Sequence, residues 1–212
     1  MRIYKTPAII VVLLLLATIA TYALDFGVEL SNTVGIKKVE KTEFLTDHKE
    51  TIWATIPFNN QNTTSLSIEG SFYASKPAAL DTFDYYIDLD LFRLSFTPQN
   101  SPSGKITMQV GRISLSDVTG KILNQAIDGF EIHAIKSFGN ASFFAGYTGL
   151  LNARQEKNLM TADDIADIAT DDVYAFGAKR AVAKAAVQFP NLFAGTDLLF
   201  EVLGQYDLRD TI

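Results

Sequence analysis

The chain has 212 residues, 48% of them hydrophobic and 20% charged, with fifteen Phe, eight Tyr and a formal net charge of −6. The absence of cysteine excludes a disulfide framework, a thiolate metal site, a cysteine nucleophile and a cysteine-linked lipid anchor. The acidic balance argues against a nucleic-acid partner, and the length suggests one domain.

Residues 1–23 carry Arg2 and Lys5, an uninterrupted apolar run over 8–17, and Thr21 and Ala23 in the small positions that a signal peptidase reads. This is the pattern of a secretory signal peptide, which leaves 24–212 as the mature domain. An uncleaved anchor is the alternative, but the apolar run falls short of the ~20 residues that a spanning helix needs. Without Arg2 and Lys5, sixteen basic residues face 24 acidic ones, so the mature chain carries −8.

From Leu24 onward the side chains alternate with a period of two, the signature of strands with one apolar and one polar face. Leu24, Phe26, Val28 and Leu30 mark a first strand, and residues 32–50 read as a long charged connection. Ile52, Ala54, Ile56 and Phe58 mark a second strand, closed by the turn formers at 59–62. Residues 65–74 alternate most clearly, with Leu66, Ile68, Phe72 and Ala74 against Ser67, Glu69, Ser71 and Tyr73, and Pro77 ends that strand. The fourth strand places Tyr85, Ile87, Leu89 and Leu91 on one face and then changes phase to Phe92, Leu94 and Phe96. Either a one-residue β-bulge near Leu91 or Phe92 restores a continuous face, or the strand ends there. A turn is expected at 97–104, a fifth strand through Ile106, Met108 and Val110, and a loop over 114–126. A sixth strand through Phe130 and Ile132 follows, then a tight Gly139–Asn140 turn into a seventh at 141–147. After a long break at 149–171 come an eighth strand over about 173–188, blurred in phase around Lys179 and Arg180, and a ninth through Leu198, Phe200 and Val202.

Nine strands of about ten residues match the ~9–11 needed to cross a bilayer as a tilted strand. Connections after the first, fifth and seventh are long and those after the second, sixth and eighth short, as in outer-membrane barrels. Periodicity alone also allows the apolar face to point inward, as in a soluble secreted β-protein. Three features select the outward arrangement. Bulky residues fill every apolar face and would overfill a small interior. Aromatics stand near strand ends at Phe58, Phe83, Phe96, Phe138, Tyr147, Phe189 and Phe193, like interfacial girdles. A cysteine-free secreted chain also suits a Gram-negative-type envelope.

The expected fold is therefore all-β: an antiparallel transmembrane β-barrel of the bacterial outer membrane. A single-chain bacterial barrel has an even strand count, and residues 209–212 lack the terminal aromatic of closing strands, so the nine strands read as the N-terminal part of a larger barrel. Alternatively the eighth strand is false, and the chain is a small closed eight-stranded barrel acting as envelope anchor or adhesin.

The whole pattern resembles an outer-membrane porin. Val110-Gly111-Arg112, then Leu115 and Gly120, then Gln125-Ala126-Ile127-Asp128-Gly129 resembles the strand–loop–strand signature of alginate-export-type and related substrate-selective porins. That resemblance implies a water-filled pore with charged lumen residues and one or more inward-folded loops, used for passive diffusion of small hydrophilic solutes or ions.

The pore-lining candidates are Glu29, Glu69, Asp88, Asp90, Lys105, Glu131 and Glu201. A ring of one sign selects ions, so these acids point to a cation-preferring path unless they satisfy one another and neighbouring basic groups. Thr161 and Asp164 have the spacing of a helix N-cap and its third residue. The resulting short helix, with Ile165 and Ile168 on one face and Asp163, Asp164 and Asp167 as acids, is a candidate constriction of the pore. His48 and His133 have no neighbours at ligand spacing, so no metal, cofactor or enzymatic activity is expected. The expected partners are outer-membrane lipid and the permeating solutes, with a homo-oligomer also compatible.

Overall fold

The computed structural model describes residues 24–38, 42–59, 61, 63–76, 84–157, 161–168 and 172–209; the expected signal peptide (1–23) and Phe83 lie outside them. Nine strands appear among the described residues: β1 (Asp25–Lys38), β2 (Thr42–Pro57), β3 (Thr64–Lys76), β4 (Asp84–Ser101), β5 (Gly104–Ser116), β6 (Asn124–Lys136), β7 (Gly139–Tyr147), β8 (Arg180–Phe193) and β9 (Thr196–Asp207). They form one antiparallel sheet in chain order, so every strand pairs with its sequence neighbours. The sheet is not closed, and the eight-stranded alternative is not what is seen: the blurred eighth strand is present, fully paired with β7 and β9. Among the described residues no helix is long and apolar enough to cross a membrane.

Several boundaries differ from the sequence expectation, each for a local reason. Most of the expected charged connection at 32–50 is strand, because β1 and β2 continue pairing through Asn32↔His48 and Thr33↔Asp47. Val34 and Ile36 continue the apolar face of β1, but Asn32 interrupts it and Thr46, His48 and Glu50 replace it in β2, which hides the alternation, while the ladder needs only backbone. β2 and β4 accordingly reach 16 and 18 residues, well beyond ten. The anticipated bulge exists: Gly70 of β3 faces both Leu89 and Asp90 of β4, since Glu69 pairs Leu91 and Ser71 pairs Asp88. This extra residue keeps Ile87 and Phe92 on one face.

Pro98 and Pro190 sit where the ladder is interrupted, between Phe96 and Gln99 and between Phe189 and Phe193. A proline has no N–H to donate, so it is tolerated at such breaks. The turns then fall later than expected, at Pro102–Ser103 and Ala194–Gly195, the latter with both residues at positive φ (46° and 84°) as a type I′ turn requires. The β6–β7 turn is Ser137–Phe138, and Gly139 and Asn140 open β7.

All two-residue turns share one end of the sheet. The other end carries the connections at 39–41, 77–83, 117–123 and 148–179, the last with a 3₁₀ turn at Ala153–Gln155 and a helix, α1 (Ala162–Ile168). Gly111 marks the closest backbone approach, with φ +116° and the Phe92 carbonyl 2.0 Å from where a Cβ would stand.

The two faces differ in kind. One is bare and apolar: Phe26 is 70% exposed and Val202 73%, with Val28, Ile52, Phe72, Ile87, Leu94, Val110, Phe143 and Phe200 also exposed. A polar interruption, His48 bonded to Asn32 and to Glu50 (3.0 Å), lies on that face in β1 and β2. The opposite face is polar and better covered, with Thr51 5%, Ser67 7% and Ser71 5% exposed. One unbroken cross-strand row runs Phe26, Ala54, Ile68, Phe92, Arg112, Asp128, Tyr147, Ala181, Tyr206. It begins one residue past the turn-end start of β1 and finishes ten past the turn-end start of β9, so rows climb steeply across the sheet.

Candidate functional site

The candidate site is the polar face together with the connections folded over its loop-bearing end. Registers carry Glu29, Glu69, Asp88, Asp90, Lys105, Glu131 and Glu201 onto this one face. In β2 to β4 it is a hydroxyl and carboxylate lattice: Thr51 bonds Ser71 at 2.8 Å, Thr55 bonds Ser67 at 3.2 Å, and the Ser71 hydroxyl donates to Asp90. Lys49 lies 3.6 Å from Asp90 and 5.0 Å from the Tyr73 ring centroid. Tyr73 in turn stacks on Tyr86 at 4.5 Å with an 8° interplanar angle, an offset-stacking geometry that aromatic pairs favour.

Most of the acids expected to line a path are thus compensated. Asp88 stands 3.6 Å from Arg112, Glu131 2.9 Å from His133, and Glu201 3.0 Å from Lys184. Glu29 and Lys105 are exposed, and Glu69 is half-buried beside Trp53 in its row. Of the bases that do the compensating, Arg112 is legible in the sequence as a basic group near a strand end of this face. Lys49 falls in the expected connection and Lys184 in a strand of blurred phase, so their face is illegible there.

Toward β5–β9 an apolar cluster interrupts the polar face: Ile113, Leu115, Leu123, Ile127, Phe144 and Val182, with Leu203 against it. It arises because the β5–β6 loop is shorter than expected, 117–123 instead of 114–126, and folds back onto the sheet. Asp117 organises this loop. Its carboxylate accepts from the Thr119 hydroxyl and from the backbone N–H groups of Thr119 (2.8 Å), Ile122 (3.0 Å) and Leu123 (2.7 Å). The Thr119 hydroxyl foremost, then the Leu123 N–H, hold the carboxyl well below the usual carboxylate range. The loop is then tied across to β8 and β9, through Lys184 to the Ser116 carbonyl and Val118 N–H to Glu201 (2.9 Å).

The connection at 148–179 fills the gap where β4 and β5 part beyond Phe92↔Arg112. Arg112, 3% exposed, grips Asp128 with two bonds (3.1 and 2.8 Å) and donates to the carbonyls of Leu89 (2.5 Å) and Leu150 (2.7 Å). The free edge of β4 is completed by Ile87 N–H to the Val173 carbonyl (3.1 Å) and by the Asn152 amide to the Ile87 carbonyl (2.8 Å). Arg154 joins Asp84 at 2.8 Å, and the Gln155 amide reaches the Tyr86 hydroxyl at 2.7 Å. The residues of the strand–loop–strand signature therefore meet in space: Gly111 pairs Gly129, Arg112 clamps Asp128, and Leu115 and Ile127 enter the apolar cluster.

The far part of this connection is anchored by Arg180, 1% exposed. Its guanidinium meets Glu156 at 2.8 Å, Asp164 closely and Asp207 at 3.4 Å, while Arg209 reaches Asp164 at 2.8 Å. Burial pushes the Glu156 carboxyl above its usual range, although the Ala178 N–H and Arg180 oppose this. The α1 capping box forms, Thr161 N–H to Asp164 at 3.0 Å and Asp164 N–H to the Thr161 hydroxyl at 3.3 Å. The helix docks by its acid, however. Asp164 is buried while Ile165, expected on an apolar face, is exposed, as are Asp163 and Asp167.

Among the described residues no group of three or more His, Cys, Asp or Glu is placed to hold a metal ion. No protein-family model, no curated protein and no solved structure matches the chain.

Proposed function

We propose that the chain contributes nine strands to an outer-membrane β-barrel whose polar face lines a path for passive diffusion of small hydrophilic solutes or ions. The observation that carries this reading is the inverted polarity of the sheet, with its large apolar side chains bare and its hydroxyls, carboxylates and guanidinia covered. In water that distribution is costly. In a bilayer the bare face meets hydrocarbon, and the ladder satisfies the backbone there.

Three further features support it. The cross-strand row climbs nine residues over eight strand steps, about 3.3 Å per residue against 4.8 Å per step, a slope of roughly 40°, the tilt of membrane barrels. Exposed aromatics stand at the turn end (Phe26, Phe58, Phe138, Phe193) and at the loop end (Tyr85, Phe176, Tyr206), as interfacial girdles do. The connections at 77–83, 117–123 and 148–179 are longer than the two-residue turns at the opposite end, in the sense of external loops against periplasmic turns, although 39–41 has only three residues and 58–63 six.

The edge strands indicate how it closes. With nine strands alternating in direction, β1 and β9 run the same way, and they are not paired. Antiparallel closure therefore takes an odd number of further strands between them. A second copy inserted in the same orientation would make parallel seams, and an inverted copy would put its loops on the wrong side of the membrane.

A filled, non-conducting barrel acting as envelope anchor or adhesin is the second reading, favoured by the apolar cluster around Leu115 and Phe144 on the polar face. Reconstitution of the native protein in planar bilayers decides between them. Stepwise conductance is expected; insertion without conductance selects the anchor, and failure to insert overturns the membrane reading altogether.

A further inference from the structure

Between β6 and β9 the polar face holds a cavity of about 260 Å³, lined among others by His133, Asn140, Ser142, Ala186, Gln188 and Leu199. Cross-strand rows explain the hollow. His133, Ser142, Ala186 and Glu201 stand in one row, so two small side chains form a floor between two large ones. The next row toward the loops, Glu131, Phe144, Lys184, Leu203, and the next toward the turns, Ile135, Asn140, Gln188, Leu199, rise on either side.

Among the described residues the lining itself holds no carboxylate, ammonium or guanidinium. Beside it Glu131 meets His133 at 2.9 Å and Glu201 meets Lys184 at 3.0 Å. The amide of Asn140 reaches Gln188 at 3.4 Å, and that of Gln188 reaches Asp197 at 3.2 Å. An ion of either sign therefore finds no opposite charge in the lining. A hydroxyl needs none, because it donates to an amide carbonyl and accepts from amide N–H groups there. Leu199 and Ile135 add an apolar wall suited to a C–H face.

We propose that this cavity is a subsite for a neutral polyhydroxylated solute, a small polyol or a single sugar ring. The inference rests on the pore reading only in taking the polar face as the solute's path; binding itself needs no conductance. The test is equilibrium binding to the folded full chain in detergent, read by saturation-transfer NMR, with glucose, gluconate and glucosamine as matched neutral, anionic and cationic probes. Glucose is expected to bind with a millimolar Kd, and each charged analogue at least tenfold more weakly. Ala186→Leu, which fills the floor, should weaken glucose binding at least tenfold, and Ser142→Val serves the same purpose should the first variant fail to fold. No saturation by glucose, equal binding of the charged analogues, or undiminished binding in a folded floor-filling variant would each overturn the subsite. Glucose binding by a chain that conducts nothing would uphold the subsite and remove the pore.

Discussion

Gly111 and Gly204 show how differently two glycines of one sheet are constrained. A Cβ at Gly111 would meet the Phe92 carbonyl at 2.0 Å with the backbone at φ +116°, whereas one at Gly204 meets nothing within 4 Å. Gly111→Ala is therefore expected to destabilise by about 1–3 kcal/mol, the scale of an enforced backbone outlier. Gly204→Ala should be neutral or stabilise by up to about 1 kcal/mol through reduced freedom of the unfolded chain. Urea titration of the detergent-folded variants measures both. Asp117 makes a pH-dependent prediction. Its folded carboxyl lies below the unfolded one, so its contribution is complete above about pH 4 and disappears as pH falls toward the folded value. The stability gap between wild type and Asp117→Asn should accordingly be widest near pH 6 and narrow progressively on acidification below about pH 4. A gap independent of pH would assign the loop to packing alone.

At the scale of elements, the connection at 148–179 behaves as a tethered insert. Arg180 gathers Glu156, Asp164 and Asp207, so Arg180→Met leaves the buried Glu156 without its cation and the buried Asp164 with Arg209 alone. Breaking a buried pair in this way costs about 3–5 kcal/mol, and limited proteolysis should then cut within 157–179 under conditions where the wild type resists. The α1 capping box was legible from Thr161 and Asp164, since capping is local in sequence. The docking of α1 was not, because Arg180 lies sixteen residues on and its only signal was the phase lost near Lys179 and Arg180. Strand alternation was likewise legible wherever one face is apolar without a break, and it failed at 32–50, where Asn32, Thr46, His48 and Glu50 interrupt the apolar face. The bulge at Leu89–Asp90 could be anticipated from a phase change alone, whereas the cation partners Lys49 and Lys184 depended on registers that periodicity does not fix.

For the whole molecule, adjacent residues should answer oppositely to the same substitution. Leu94 lies on the bare face and Ser95 on the polar one. Leu94→Arg should cost about 2–4 kcal/mol of folding free energy in lipid if it lies near the bilayer midplane, and Ser95→Arg far less. Equal costs would contradict the assignment of faces. Alternation reports each strand singly and says nothing of which edges meet, so the fate of the β1 and β9 edges was beyond its reach. Chain-order pairing also bears on how the sheet is made. Each new strand adds beside the one just synthesised, so the sheet can grow hairpin by hairpin with only short loops to close, apart from the insert between β7 and β8. Until a seam joins them, β1 and β9 remain templates for foreign strands. Assembly is thus most vulnerable at its last step, when the most sheet has formed and two edges still lack partners.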